Sequence, residues 1–258
     1  MTVSGETATE HRVAPRHLAG GGDPAWVTVP LHRAFGWTPA DDPLMPRVIL
    51  TSPDRQTVLR LDPDPNRSWW ALHHTGDRDR PAWSVAFDAQ TPVECIAALT
   101  DALASPRSNA ARITHPYDYL GQAGWVRARD HDGFTSPDGH CDIEHFVSSS
   151  GNSRWYVNTA VSGDPEGQIW QAHLPGDTPQ HLVAAFVRAL ADPAPLVRDP
   201  QQLPTRVLAR IRIQPRRIPL PTVTALEQRT ARLIQQHAAP GTAGAARRPP
   251  IPRQRRPR

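Results

Sequence analysis

The sequence predicts an α+β fold. It reads as two tandem repeats, each an antiparallel β-meander of about four strands followed by one α-helix, packed as a pseudo-dimer and extended by a basic C-terminal segment. Three observations carry this. Landmark residues recur at a period of 84 to 88 positions. Apolar residues alternate at period two after each recurring turn. A Thr-Pro pair precedes helix-spaced apolar residues in both halves.

The landmarks are specific. Gly36-Trp37 recurs as Gly124-Trp125, Thr51-Ser52-Pro53-Asp54 as Thr135-Ser136-Pro137-Asp138, Trp70 as Trp155, Trp83 as Trp170 and Thr91-Pro92 as Thr178-Pro179. The first repeat is placed at 16–106, after a disordered N-terminus at 1–15. A linker at 107–118 leads to the second repeat at 119–195.

Within each repeat the Thr-Ser-Pro-Asp segment has turn composition, because Pro presets φ and Asp can bond the backbone, so it should join two antiparallel strands. Thr57, Leu59 and Leu61, and in the second copy Cys141, Ile143 and His145, should face the core. Trp70 and Trp155 begin the next strand, and Trp83-Val85-Phe87 matches Trp170-Ala172-Leu174 in the one after. Thr91-Pro92-Val93-Glu94 reads as a capping box, with Ile96, Leu99 and Leu103 on one helical face. The second helix keeps Thr178 and Pro179 with Val183, Phe186 and Leu190, but has His181 in place of the glutamate. One unit of about 80 residues would have a marginal core, hence the pseudo-dimer.

Beyond 195 the composition shifts. Residues 1–197 hold 15 Arg against 23 acidic residues, whereas 198–258 hold 14 Arg against Asp199 and Glu227. Net charge is therefore −8 in the body (15 minus 23) and +12 in the extension (14 minus 2). Val207, Ala209, Ile211 and Ile213 alternate with Arg206, Leu208, Arg210 and Arg212, which predicts a strand with one basic face, able to extend a sheet edge. A helix is expected at about 222–237 on Val223, Leu226, Leu233 and Ile234, completing an extension at 196–239. Residues 240–258 read as a disordered tail whose last twelve residues hold six Arg, four Pro and no acid. All 29 basic residues are Arg, a bias ascribed with the abundant Ala and Pro to a GC-rich coding genome.

The recurring pattern, preceded by His17-Leu18-Ala19-Gly20-Gly21-Gly22-Asp23-Pro24, resembles the actinobacterial family called domain of unknown function 317, over about residues 16–195. The resemblance implies a fold unit in two copies and a lineage, and it brings no activity and no catalytic residues.

Chemistry-bearing motifs are few. His140-Cys141-Asp142-Ile143-Glu144-His145 gathers metal-ligand types, but a strand divides them between two faces without zinc spacing, so no metal is expected. Cys95 and Cys141 read as buried and unreactive, and two cysteines without a framework suit a reducing cytoplasm. Ser148-Ser149-Ser150-Gly151 reads as a loop, and Gly20-Gly21-Gly22 opens no predicted helix. Trp69 and His73 should lie on the face opposite Trp70, as a surface for peptide, base or partner contact.

The function expected is a non-enzymatic binding or adaptor role in the cytoplasm, without catalytic residues, cofactor or membrane partner. Arg247, Arg248, Arg253, Arg255, Arg256 and Arg258 would attach non-specifically to nucleic acid. The alternatives are a purely protein-interacting module, or an enzyme with a site between the repeats built on Asp142, Glu144 and His145. The sequence does not set an oligomeric state.

Overall fold

The computed structural model describes residues 7–40, 47–64, 67–78, 81–105, 115–162, 165–220 and 223–238. Strands β2 (Thr38–Pro39), β3 (Val48–Thr51), β4 (Thr57–Leu61), β5 (Trp70–His74) and β6 (Trp83–Phe87) form the first meander. Strands β7 (Val126–Arg127), β8 (Gly133–Thr135), β9 (Cys141–Val147), β10 (Ser153–Ala160) and β11 (Gln168–Pro175) form the second. They join into one ten-stranded antiparallel sheet, β2-β3-β4-β5-β6-β11-β10-β9-β8-β7, in which the last strands of the two repeats meet at the centre. Ala86 pairs with His173, its own counterpart in the repeat, so a pseudo-twofold axis passes through that pair.

Helices α1 (Ala25–Phe35), α2 (Val93–Ala104), α3 (Pro116–Gln122) and α4 (Gln180–Ala191) form a layer in which α1 packs on α2, α2 on α4 and α4 on α3. One continuous core lies between sheet and helices, with Trp37, Trp70, Trp83, Trp125, Trp155 and Trp170 all buried. Each such side chain removes about 150–250 Å² from water, about 4–6 kcal/mol of apolar burial as an upper bound. The pseudo-dimer is thus built on a shared core.

Each repeat holds one more helix than the sequence suggested, because each copy opens with a helix, α1 or α3. Gly-Trp is the exit from that helix. Gly36 and Gly124 take left-handed φ values of 70° and 79°, and the amides of Trp37 and Trp125 donate to the carbonyls of Leu31 and Leu120. The Ser-Pro-Asp turns join β3 to β4 and β8 to β9 as expected. Ser52 Oγ donates to Asp54 (2.5 Å) and accepts the Thr57 amide (2.9 Å); Ser136 does the same with Asp138 (2.6 Å) and Cys141 (2.9 Å).

Four expectations are corrected. The capping box at Thr91–Glu94 does not form: Thr91 Oγ1 and Thr178 Oγ1 are buried without a hydrogen-bond partner among the described residues, and Glu94 turns to Arg198 instead. The N-terminal segment is not disordered throughout, since Thr7–Ala14 is strand β1. The extension's strand is not at 207–213; β13 spans Arg212–Pro219, and Thr205–Val207 is a short 3-10 turn. Val223 lies before helix α5 (Ala225–Ala238) and is exposed, as is Ile234 within it, whereas Leu226, Thr230 and Leu233 lie on the covered side.

Candidate nucleic-acid interface

The extension is built on β13, which pairs antiparallel with β1 from Thr7↔Pro219 to Ala14↔Arg212. On the other side of β1, the short strand β12 (Leu196–Val197) adds two pairs. Residues directly opposite share a face. Val13 and Ile213 lie on one face, in a small core with Ala19, Leu196, Leu203 and Ile211. The other face carries Arg212, Gln214 and Arg216 from β13, all exposed, with Arg12 opposite Gln214 and Glu10 opposite Arg216. Glu10 is paired to Arg12 at 3.1 Å.

Three anchors fix this ribbon to the body. Arg198 forks onto Glu94 with bonds of 2.7 and 2.6 Å and also donates to the carbonyls of Ala19, Gly20 and Val197. A Cβ on Gly21 would stand 2.3 Å from the Ala89 carbonyl, and one on Gly22 would stand 2.9 Å from the Arg198 guanidinium. The glycine run therefore allows the segment to approach Ala89 and Arg198 closely. Buried Val207 and Arg206, which donates to the carbonyls of Glu166 and Gln168, form the second anchor. Helix α5 is the third: Arg229 meets Asp101 at 2.8 Å and lies over the Trp26 ring at 5.4 Å. Burial pushes the Asp101 carboxyl up, against the pull of Arg229.

The six tail arginines, Arg247, Arg248, Arg253, Arg255, Arg256 and Arg258, lie outside the described residues. Sequence reasoning placed Arg212 on a basic strand face but missed Arg12 and Arg216, since their common face depends on a pairing between segments about 200 residues apart. The alternation of Thr7, Thr9, His11 and Val13 was the available signal for β1.

The open face of the large sheet is the second surface. Trp69 does not present itself there: it is half-buried against the core, just before β5, while His73 is exposed. The second repeat carries the more elaborate cluster. Arg154 donates to Tyr156 Oη at 3.0 Å and lies over Phe146, and the Tyr156 and His173 rings are 4.3 Å apart. Desolvation, with the Arg154 charge, lowers the His173 pKa. Arg154, His173 and Asp177 border an open pocket of about 520 Å³.

The remaining candidates disperse. Cys95 and Cys141 are fully buried, and that burial pushes both thiols up. Cys141 Sγ accepts from Thr159 at 3.2 Å, at the place where the first repeat has Thr57 against His74 (3.0 Å). Asp142 accepts from Thr135 on the open face, whereas His145 stacks on Trp155 on the other. Among the described residues no group of three His, Cys, Asp or Glu could hold a metal ion, and no helix is long and apolar enough to cross a membrane.

Compared with known families, the chain matches SPDY, a domain of unknown function (DUF317), twice, at residues 51–109 and 135–196. The two matched regions fit two copies of the unit. Neither the curated proteins nor the solved structures give a match.

Proposed function

We propose that this chain is a two-copy SPDY (DUF317) protein in which the fused repeats act as a rigid scaffold and the C-terminal extension attaches to nucleic acid. The observation that carries the reading is the segregation of charge onto an anchored element. From Arg206 to Arg217 there are five arginines and no acid, and all of that run except Val207 and the half-buried Ile211 and Ile213 is exposed. The body itself is acidic, so the attraction to phosphate is confined to the extension. Beyond α5 the sequence adds six further arginines in its last twelve residues. Attachment of this kind is salt-sensitive and independent of sequence.

The test is a gel shift with duplex DNA of random sequence at low and moderate salt, comparing the full chain with one ending at Ala238. That end point keeps Arg198 and Arg229, the partners of Glu94 and Asp101, together with β13 and α5. Loss of affinity on truncation supports a tail contribution. Equal binding by both chains would confine the interface to residues before 239, and no binding by either would end the reading.

A protein-partner reading draws on one observation, the exposure of Phe146 (43%) beside Arg154 and Tyr156 on the open sheet face. Capture of a partner by the Ala238-terminated chain, abolished by Phe146→Ser, would favour it.

A further inference from the structure

We propose that the face of the β1–β13 ribbon bearing Arg212, Gln214 and Arg216 seats in the major groove of B-form duplex DNA. The inference rests on the nucleic-acid reading above and names its partner. From Thr7–His11 against Pro215–Pro219 the sheet is a two-stranded antiparallel ribbon, with β12 flanking β1 only at Arg12 and Val13; such a ribbon is one of the two elements that the major groove of B-DNA admits, the groove being about 12 Å wide. Arg212 and Arg216 are four residues apart on an extended strand, about 14 Å, a span close to that between the phosphate walls of the groove. Gln214 lies between them on the same face, with Arg12 opposite it on β1.

The face is cationic on balance. Its one acid, Glu10, is already held by Arg12 at 3.1 Å, leaving Arg212 and Arg216 facing outward. The opposite face cannot serve, because Val13 and Ile213 commit its base to the small core. The free edge of β13 is a poor template for another strand, since Pro215 and Pro219 lack an N–H and Arg212, Arg216 and Arg217 line it with charge. A partner is thus directed to the arginine face. Duplex RNA fits less well, because the A-form major groove is deep and narrow, and a single strand offers no groove at all.

The experiment titrates the full chain by fluorescence anisotropy, at several salt concentrations, with a 20-base-pair DNA duplex, one of its strands alone and the corresponding RNA duplex. Two variants accompany it: R212Q/R216Q, which alters only exposed side chains, and a tail variant with Arg→Gln at 247, 248, 253, 255, 256 and 258. The expected result is a preference of the unaltered chain for duplex DNA. R212Q/R216Q should lower that affinity about tenfold and reduce the salt slope by about 2, at roughly 0.9 for each phosphate no longer neutralised, with little change for the other two probes. The tail variant should weaken all three alike. Duplex DNA bound as tightly by R212Q/R216Q as by the unaltered chain, or DNA and RNA duplexes bound equally by the latter, overturns the groove assignment. If the tail variant alone loses binding, the groove assignment falls and the attachment proposal stands; if the full chain binds none of the probes, both fall.

Discussion

Asp54 and Asp138 occupy the same position in two copies of one turn, yet their surroundings give them different weight. Both accept from a serine hydroxyl and a backbone amide two residues on. Asp138 also meets the buried ring of His17 at 2.9 Å, which ties the segment before α1 to the second repeat. Partial burial works to raise the Asp138 carboxyl, but the hydrogen bonds from His17 and Ser136 outweigh it and hold the group well below the usual carboxylate range. A depressed folded pKa gives stability that is present above the unfolded value of about 3.8 and lost as pH falls toward the folded one. Thermal melts between pH 3 and pH 7 should therefore show a decline on acidification that is shallower in Asp138→Asn, which should also melt lower than the unaltered chain at pH 7. An unchanged pH profile in the variant would exclude this origin. Glu94 supplies a second residue-level test. Its partner Arg198 has a side chain only 7% exposed, so Glu94→Ala strands a buried cation and should cost about 3–5 kcal/mol, read from the urea midpoint. Glu94→Leu combined with Arg198→Met should recover much of that loss, because it removes both charges together.

At the scale of elements, strands were more legible than their company. Period-two alternation located β4, β5, β6, β9, β10 and β11, because each has one face in the core and one in solvent. Helix α1 escaped because Pro30 interrupts a pattern that Val27, Leu31, Ala34 and Phe35 otherwise keep, and α3 because seven residues are too few to show a period. The β1–β13 ribbon left no local trace of its pairing, since neither strand holds its partner nearby in sequence. Capping was misplaced for a related reason: Thr91–Glu94 has the pattern, but long-range Arg198 outcompetes the backbone for Glu94. The box forms instead at Thr224–Glu227, where Thr224 N–H donates to Glu227 Oε2 (2.9 Å) and Glu227 N–H to Thr224 Oγ1 (3.2 Å). This cap starts α5, a largely exposed helix held by Leu233, by the Phe35–His237 ring contact and by Arg229 on Asp101. Because most of its surface is exposed, Arg229→Ala should raise hydrogen exchange across 225–238 severalfold while leaving β5 and β6 protected. Equal protection in the variant would place the docking energy elsewhere on α5.

Across the whole molecule, the duplication was legible as recurring landmarks, but the joint between the copies was not, because its residues differ in the two halves. The sheet contributes little to that joint. Strands β6 and β11 share only the pairs Phe87↔Ala172 and Ala86↔His173, prolonged by Asp88 N–H on the Gln171 carbonyl at 3.0 Å and Gln171 N–H on Asp88 Oδ2 at 2.9 Å. The helix layer contributes more, for α2 packs on α4 above this seam and Phe186 of α4 stacks on Phe87 of β6 with ring centroids 5.3 Å apart. Phe186 is fully buried and corresponds to Leu99 in the first repeat, so one aromatic ring crosses the pseudo-twofold from a single side. Truncating it removes packing that belongs to both repeats at once. Phe186→Ala should cost about 3–5 kcal/mol, and unfolding should remain one cooperative transition, because neither repeat keeps a closed core once the seam opens. Chemical denaturation followed by tryptophan fluorescence and by far-ultraviolet circular dichroism makes the distinction: coincident curves shifted to lower urea are expected. Two separated transitions in the variant would mean that each repeat holds its own core and that the pseudo-dimer is a contact between independent domains.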